Sequence, residues 1–478
     1  MSGGFAVRVL ASLAASLVVA GCDSSDGDAS LAALRHWNQI AIDTSGLDHT
    51  PVEVGENRVF GHALGPGRAS KAMAIVHVAI FEATNAIGRG HASYVGLAAA
   101  PDGTSMPAAI AQAAHATLVA LYPSHAPRLD PLLADALAGI SDGPAKTQGI
   151  ALGNAAATAI LALRAGDGSQ HAEPVYGTDY VAADDAGVWR QDPVSPHPLA
   201  LGARWAEVLP FVLTSASQFR APAPPLMTSA EYATAYDEVQ RLGGDGVTTP
   251  TERTEEQTFI GIYWAYDGLP SLCAPPRLYN QIAVEIAANM GTGAVDTARL
   301  LALVNIAMAG AGIAIWESKY FYKAWRPVTG IRESDVGTGP TGTGDGNAAT
   351  VGDEMFTPLG APASNSDGLN FTPPFPAYPS GHAGFGGALF QTLRRFYGTD
   401  DIGFTLVSDE WNGETLDNEG NMRALRPRSF SSLSEAEEEN GQSRIYLGIH
   451  WSFDKTEGIA QGRLVADWVV DHLFLPVP

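Results

Sequence analysis

The chain has 478 residues, of which 46% are hydrophobic and 17% are charged, so it has ample material for a buried core. Its 51 acidic residues outnumber its 28 lysines and arginines, which gives a formal net charge of −23. This excess of negative charge argues against nucleic acid and against anionic membrane surfaces as partners. The two cysteines, Cys22 and Cys273, cannot form a disulfide framework.

The first 21 residues are predicted to be a bacterial lipoprotein signal peptide. The apolar run from Val9 to Ala20 is too short to span a bilayer. The sequence Val19-Ala20-Gly21-Cys22 resembles a lipobox, so we expect Cys22 to be lipidated and residues 22–30 to form a polar tether. The alternative is a simple secretory signal that is cleaved nearby. We therefore expect a lipoprotein of the cell envelope, held to the membrane only by its lipid anchor, or else a secreted protein.

Helical periodicity dominates the rest of the chain. Helices are predicted, in chain order, over 69–87, 106–121, 150–163, 229–242, 252–266, 276–290, 295–316, 382–397, 434–447 and 454–473. The run 295–316 is apolar on nearly all sides and is expected to be a central, buried helix.

Two segments, 166–227 and 333–374, are rich in Gly and lack sustained periodicity, so they are predicted to be long surface loops. No region alternates with period two over several strands. The predicted fold is all-α, with a helical bundle over 31–227 and a second bundle over 228–478 that carries the site.

Three short segments concentrate the scarce cations together with histidines. The first runs from Trp316 to Pro327. Lys319 and Arg326 are seven residues apart, close to two helical turns, so we expect them to share one face of a helix that Pro327 ends. The alternative is that these cations only compensate the dipole at a helix C-terminus.

The second segment runs from Phe375 to His382. A helix is expected to begin near Ser380, which is a favoured N-cap residue. The free N–H groups of the first turn, next to the unobstructed backbone of Gly381, could bind an oxyanion, with His382 beside it. Taken alone, the segment is more often an ordinary capped helix with a solvated histidine.

The third segment runs from Ser443 to Asp454. His450 and Asp454 are four residues apart and could pair, which would fix the tautomer of the imidazole. Arg444 and His450 converge only if the chain bends, which Gly448 permits. Together the three segments suit a tetrahedral or trigonal-bipyramidal oxyanion, and their positive charge disfavours a metal cation. A Ser-His-Asp hydrolase is the other interpretation of the serine, but the chain has no G-x-S-x-G motif there.

These spacings resemble the three-part signature of the vanadium-dependent haloperoxidases, which share their anion pocket with the phosphatidate phosphatase superfamily. Six residues separate Lys319 from Arg326-Pro327, Pro379-Ser380-Gly381-His382 follows, and five residues separate Ser443-Arg444 from His450. The resemblance is clearest over about 255–472 and is closest in motif to the chloroperoxidase type.

The resemblance implies a vanadate cofactor bonded directly by His450. Its oxygens would be held by Lys319, Arg326, Ser380, the N–H of Gly381, and Arg444. His382 would take the proton from incoming hydrogen peroxide, and Lys319 would polarise the bound peroxide. Halide would then attack the activated oxygen, and hypohalous acid would leave.

Four further positions take roles from the resemblance. Asp267 looks like the acid that pairs with the site arginine or histidine, and Asp454 like the partner of His450. Trp316 and Phe375 resemble the aromatic residues near the halide in chloroperoxidases, which predicts oxidation of chloride as well as bromide, although either ring could simply belong to the core.

The expected partners are hydrogen peroxide and halide, with or without an organic acceptor. An acid phosphatase is the alternative function, because phosphate fills the same kind of pocket and His450 could become a transient phosphohistidine. A non-catalytic oxyanion-binding lipoprotein is a third class. The two titratable histidines argue against it, since binding alone does not require them.

Overall fold

The computed structural model describes residues 26–477, so the predicted signal peptide and the predicted lipidation site Cys22 lie outside the described residues. Within that range the protein has thirteen α-helices and a single pair of short strands. The all-α prediction is therefore confirmed.

The N-terminal half contains five helices: α1 (Asp26–Asp48), α2 (Gly65–Gly88), α3 (Met106–Leu121), α4 (Ala126–Ala138) and α5 (Pro144–Arg164). A long connection with one 3₁₀ turn at Trp205–Glu207 follows, as predicted. The remaining helices are α6 (Ala230–Leu242), α7 (Glu255–Tyr263), α8 (Pro276–Asn289), α9 (Ala294–Tyr322), α10 (Pro327–Arg332), α11 (Gly381–Tyr397), α12 (Leu433–Tyr446) and α13 (Ser452–His472). The strands β1 (Phe404–Leu406) and β2 (Arg428–Phe430) pair antiparallel, with Phe404 opposite Phe430.

Helix α9 is the central element that the sequence predicts. Its 29 residues span roughly 43 Å, and it packs against α2 of the first half and against α11 and α13 of the second. One cluster of buried apolar side chains extends from Leu34 to Phe474, so the two halves share a core. Among the described helices, α9 is long and apolar enough to cross a membrane, but nearly all of it is buried inside the protein.

Helices α11 and α13 cross closely enough to bring the site segments together. A Cβ atom on Gly462 would lie 2.0 Å from the carbonyl oxygen of Gly384, so the crossing requires a residue without a side chain. The backbone N–H of Ser380 donates to the carbonyl of Asp454 at 2.9 Å, which ties the start of α11 to the first turn of α13.

Several helix predictions are wrong in detail. Helices α1, α4 and α10 were not predicted, and the first turn of α1 occupies residues 26–30 of the predicted tether. The helix predicted over 252–266 is shorter, because α7 ends at Tyr263 and Tyr266 takes a left-handed conformation with φ 48°.

The prediction that Lys319 and Arg326 share one helix is also wrong. Helix α9 ends at Tyr322, because Lys323 adopts a left-handed conformation with φ 53°. Pro327 begins α10 rather than ending a helix, which suits its missing N–H. Lys319 and Arg326 are therefore brought together by a reversal of the chain.

Candidate active site

The bend that Gly448 permits is present between α12 and α13. Gly448 has φ 73°, and a Cβ atom there would lie 2.4 Å from the carbonyl oxygen of Gly243. This turn brings His450, in the loop before α13, towards Arg444 on the last turn of α12. Both side chains line the same cavity.

The tautomer of His450 is fixed by its neighbours. Its Nδ1 lies 2.8 Å from Oδ2 of Asp454, and the same oxygen accepts the backbone N–H of Trp451 at 3.0 Å. Nδ1 therefore carries the proton, and the lone pair of Nε2 accepts from Nη1 of Arg326 at 2.9 Å. Burial, followed by the nearby cations, holds the pKa of His450 well below its usual range. The imidazole of His450 is therefore neutral, and the lone pair of its Nε2 faces the guanidinium of Arg326.

Lys319 and Arg326 are fully buried and are held by backbone carbonyls. Nζ of Lys319 donates to the carbonyls of Pro376 (2.8 Å) and Ala377 (2.9 Å). Nε of Arg326 donates to the carbonyl of Phe375 at 2.9 Å. Burial lowers the pKa of Lys319 well below its usual range and that of Arg326 to about 9. A bound anion would favour the charged forms of both side chains.

Asp267 orients Arg444 through one nitrogen of its guanidinium. Its Nη2 donates to both carboxylate oxygens of Asp267, at 2.8 Å each. Its Nε and Nη1 are buried and have no hydrogen-bond partner among the described residues. Ser380 is the N-cap of α11, as predicted, with its Oγ accepting from the N–H of Ala383, and Gly381 opens the helix. Guanidinium and helix N-terminus together offer donors suited to an oxyanion.

His382 is positioned as a proton acceptor. Its Nε2 donates to the carbonyl oxygen of Ala265, which can only accept, so Nδ1 carries the lone pair. Burial, then the charge of Arg444, lowers the pKa of His382 to about 3. Asp267 Oδ1 lies 3.8 Å from Nε2, close enough to favour a charged ring once a proton arrives.

Several groups that position His382 were missed from the sequence. The hydroxyl of Tyr279 and Nδ2 of Asn440 each donate to the carbonyl of His382 at 3.0 Å. Asn440 lies four residues before Arg444 on α12, a helical spacing that could have identified it. The carbonyl of Ala265 has no sequence signal, because every residue has such a group.

Trp316 and Phe375 border the anion site. Their ring centroids are 4.9 Å apart, and Nζ of Lys319 lies 5.6 Å and 5.1 Å from them, respectively. A Cβ atom on Gly381 would lie 3.2 Å from the Trp316 ring, so glycine allows the aromatic wall to approach the start of α11. The predicted halide-proximal residues thus lie beside a buried lysine.

Several of the site residues line a cavity of about 1070 Å³, and we call the surface that they form its floor. Gly381, His382, Arg444 and His450 line the floor, while loops and helix ends from both halves of the protein form the walls. The structure thus brings together all the predicted anion-binding residues, and their individual roles stay predictions.

The sequence is similar to those of known proteins, most clearly in its C-terminal part. Residues 299–476 match the family model of the VCPO second helical-bundle domain. The vanadium chloroperoxidase of Curvularia inaequalis is 38% identical over 278 residues, covering 50% of this chain. The match spans 44% of that relative, so the chain covers less than half of its length.

Two solved structures share the fold over nearly the whole chain. A bacterial vanadium-dependent iodoperoxidase matches with a TM-score of 0.67 at 24% identity, covering 94% of this chain and 97% of that one. A bacterial vanadium-dependent chloroperoxidase in its holo form matches with a TM-score of 0.61 at 18% identity, covering 88% and 95%. These likenesses establish the fold, and the family-model match over residues 299–476 lies in the C-terminal half of the chain. The resemblance inferred from the three segments is thereby confirmed: the C-terminal part of the chain matches the VCPO second helical-bundle domain, and the chain is similar in sequence to a vanadium chloroperoxidase.

Proposed function

We propose that this protein is a vanadate-dependent haloperoxidase that oxidises halide with hydrogen peroxide. The observation that carries the proposal is a neutral His450 at the cavity. Its Nε2 lone pair lies beside the guanidinium of Arg326, with Lys319 and Arg444 nearby, and a second neutral histidine, His382, lines the same cavity. A lone-pair donor, a cationic cradle and a separate proton acceptor are the parts that oxyanion-assisted peroxide activation requires.

The donor set fits vanadate. The unpartnered Nε and Nη1 of Arg444 and the N–H of Gly381 can donate to oxygens, Lys319 and Arg326 supply positive charge, and Nε2 of His450 can bond the metal. Bound vanadate would activate peroxide as a Lewis acid, and the vanadium would keep its oxidation state.

The residues around the cofactor site divide the remaining work. Nδ1 of His382 accepts a proton from hydrogen peroxide as it enters, while the Ala265 carbonyl holds the ring in place. The carboxylate of Asp267 then lies near the imidazolium and favours it, and the proton returns to the departing oxygen as water forms. Asp267 also keeps Arg444 aligned through its paired hydrogen bonds.

We further propose that chloride is oxidised as well as bromide. Trp316 and Phe375 give the halide an aromatic wall beside Lys319, which supports binding of a partly dehydrated small anion. The related proteins include both a chloroperoxidase and an iodoperoxidase, so their names do not decide the halide.

The decisive experiment uses protein purified without phosphate and then supplied with orthovanadate. We expect halogenation of a small diketone with hydrogen peroxide and either chloride or bromide, and we expect His450→Ala to lose vanadate binding. If no halide supports turnover and the same protein rapidly hydrolyses an aryl phosphate, the phosphatase alternative replaces this proposal.

We also propose that the protein is a lipoprotein anchored through Cys22 in the cell envelope, supported by the lipobox-like sequence that ends there. Cells fed an alkyne-labelled fatty acid should label the wild-type protein and leave Cys22→Ser unlabelled. Equal labelling of both would reject the anchor, and release of unlabelled wild-type protein into the medium would support the secreted alternative.

A further inference from the structure

The long connection between the two halves of the protein is tied to the site through one residue, Leu201. Its backbone N–H donates to the carbonyl of Pro374 at 2.9 Å, and its carbonyl accepts from Nε1 of Trp316 at 3.1 Å. The hydroxyl of Tyr320 donates to the same carbonyl at 2.9 Å. Pro374 directly precedes Phe375, so one residue of the connection is bonded to the segments that carry both rings of the aromatic wall.

The next residue, Gly202, packs directly against the indole of Trp316. It has φ 75°, and a Cβ atom there would lie 2.3 Å from Cδ1 and Nε1 of that ring. Only glycine allows so close an approach between backbone and ring. The Leu201 carbonyl and the Gly202 backbone therefore fix together where the indole lies and how far it can turn.

Glu173 anchors this part of the connection to the first half of the protein. Its Oε2 accepts the backbone N–H of Gly202 at 2.6 Å, and its Oε1 pairs with Nη1 of Arg68, on α2, at 2.5 Å. Arg68 also donates to the carbonyl of His171, and its guanidinium lies 5.5 Å from the ring centroid of Trp205. The side chains of the Arg68–Glu173 pair are only 17% and 15% exposed, so this pair holds its geometry better than a surface ion pair.

We propose that Glu173 is a positioning residue for halide selectivity, because it holds Leu201 and Gly202 against Trp316 and so keeps the aromatic wall closed around the halide. The inference rests on the proposed haloperoxidase function, which makes halide the anion beside this wall. All the anion-binding residues belong to the second half of the chain. The first half contributes to selectivity by fixing the wall.

A loosened wall should harm chloride more than bromide. Chloride is the smaller ion and needs a closer approach of the rings, and dispersion contacts weaken steeply with distance. A gap of about 0.5–1 Å already loses roughly a quarter to a half of the contact energy. Chloride is also the more strongly hydrated of the two, so water that enters beside a loosened wall competes more effectively with the site for chloride. We therefore expect the main effect on the KM for chloride.

Two substitutions at Glu173 and one control separate this role from a general loss of an ion pair. Glu173→Ala removes the acceptors for both Gly202 and Arg68. Glu173→Gln keeps one oxygen acceptor and should give an intermediate effect. Glu207→Ala is the control, because it removes an Arg–Glu pair from the same connection, with Arg204 at 2.7 Å.

The position of Trp316 is followed directly by NMR on vanadate-free protein labelled with ¹⁵N-tryptophan. The chain has nine tryptophans, and the indole N–H signal that disappears in Trp316→Phe identifies the residue. We expect Glu173→Ala to shift this signal and to speed its exchange with solvent at least about tenfold, since the bond to Leu201 opens more often. Glu207→Ala should leave it unchanged. An unchanged signal in Glu173→Ala would overturn the proposed route through Trp316.

Selectivity is measured with vanadate present, as kcat/KM for chloride and for bromide in diketone halogenation, or for bromide and iodide if chloride is not a substrate. In Glu173→Ala the ratio of the smaller to the larger halide should fall at least about fivefold, mainly through KM. The ratio should fall less in Glu173→Gln and stay unchanged in Glu207→Ala, with normal vanadate affinity in all three. Equal losses for both halides, or weakened vanadate binding, would show a general structural role and overturn the inference.

Gly202→Ala provides a second route if Glu173→Ala does not fold. Its methyl group meets the Trp316 ring directly, so the same shift of the indole signal and the same fall in the halide ratio are expected. Gly96→Ala is its control, because Gly96 has a similar φ of 73° but a Cβ there would meet no atom within 4 Å among the described residues.

The outcomes distinguish this inference from the proposed function. Normal halide turnover with an unchanged ratio in both Glu173→Ala and Gly202→Ala would overturn the inference and leave the haloperoxidase proposal intact. Wild-type protein that turns over no halide would overturn the proposed function and the selectivity role with it, even if the indole signal responds to Glu173→Ala.

Discussion

At the scale of single residues, the two site histidines are set for different tasks by a partner on the far side of each ring. Asp454 holds the proton on Nδ1 of His450, which leaves Nε2 as the lone-pair donor. The Ala265 carbonyl holds the proton on Nε2 of His382, which leaves Nδ1 as the acceptor. The same side chain therefore carries its lone pair on opposite nitrogens in the two positions, because the hydrogen-bond partner differs.

Asp454→Asn should weaken vanadate binding about 10- to 100-fold, because a carboxamide holds the His450 ring and its tautomer less firmly. Affinity can be measured by titration of vanadate-free protein, followed by the change in ultraviolet absorption. Asp467→Asn, on the exposed side of the same helix, is the control and should bind normally. Equal vanadate affinity in the two variants would show that Asp454 does not orient the ring of His450.

The lowered pKa of His382 predicts a pH dependence of stability. The folded protein holds this proton with a pKa of about 3, whereas an unfolded histidine has a pKa of about 6.5. The stability contributed by the neutral ring is therefore complete above pH 6.5 and is lost as the pH falls towards 3. Between pH 6.5 and 4 the loss should be about 3 kcal/mol.

Urea unfolding in phosphate-free buffers tests this dependence. His382→Gln cannot titrate, so its free energy of unfolding should fall less than that of wild type over the same pH range. Parallel losses in the two proteins would show that other groups dominate.

At the scale of secondary structure, the site is assembled from helix ends. Lys319 lies in the last turn of α9, Arg326 precedes α10, Ser380 caps α11, Arg444 lies in the last turn of α12 and His450 precedes α13. Chain reversals between helices, rather than helix faces, bring these groups together. The glycine at 448 makes one of those reversals possible.

Gly448→Ala should therefore cost both stability and vanadate affinity. Gly398 has the same φ of 73° but meets no atom within 4 Å among the described residues, whereas a Cβ at 448 would lie 2.4 Å from the Gly243 carbonyl. Gly398→Ala should lose about 1–2 kcal/mol for its left-handed backbone alone. Gly448→Ala should lose about 3 kcal/mol or more.

Thermal denaturation and vanadate titration of both variants measure the difference. Gly398→Ala should bind vanadate normally, because position 398 lies at the far end of α11 from the site. Equal losses of stability and normal affinity in Gly448→Ala would show that the turn tolerates a side chain.

The spacing of the motifs predicts which residues lie together at the site. It does not predict which turns of the chain bring them together. The cap at Ser380 and the pairing of His450 with Asp454 are local and were predicted from sequence. The end of α9 was not predicted, because Lys323 is left-handed without being glycine and gives no warning. The walls of the cavity were also not predictable, since their loops are placed by packing between distant parts of the chain.

At the scale of the whole molecule, the two predicted bundles are joined through one core. The buried apolar cluster is continuous from α1 to the C-terminal segment, and α9 contributes to both halves. The predicted boundary between residues 227 and 228 therefore separates two segments whose apolar side chains pack in the same core. It stays a prediction about folding units.

A shared core of this kind predicts one cooperative unfolding transition. Near- and far-ultraviolet circular dichroism should give the same midpoint in thermal denaturation, and vanadate should raise that midpoint because it binds only the folded state. His450→Ala is the control and should show no shift with vanadate. Two resolved transitions would instead favour bundles that unfold independently.

The separation between a floor made of helix ends and walls made of loops has a consequence for how such proteins diversify. In the proposed function, the oxidising chemistry depends on a few groups that are fixed by tightly packed helices, where most substitutions are costly. The loops that line only the walls of the cavity can change length and composition without disturbing those groups. Proteins that share this scaffold can therefore change the shape and chemistry of the cavity by altering loops alone, and a library confined to residues 60–64, 195–199 and 363–371 would vary the walls while leaving the anion-binding groups in place.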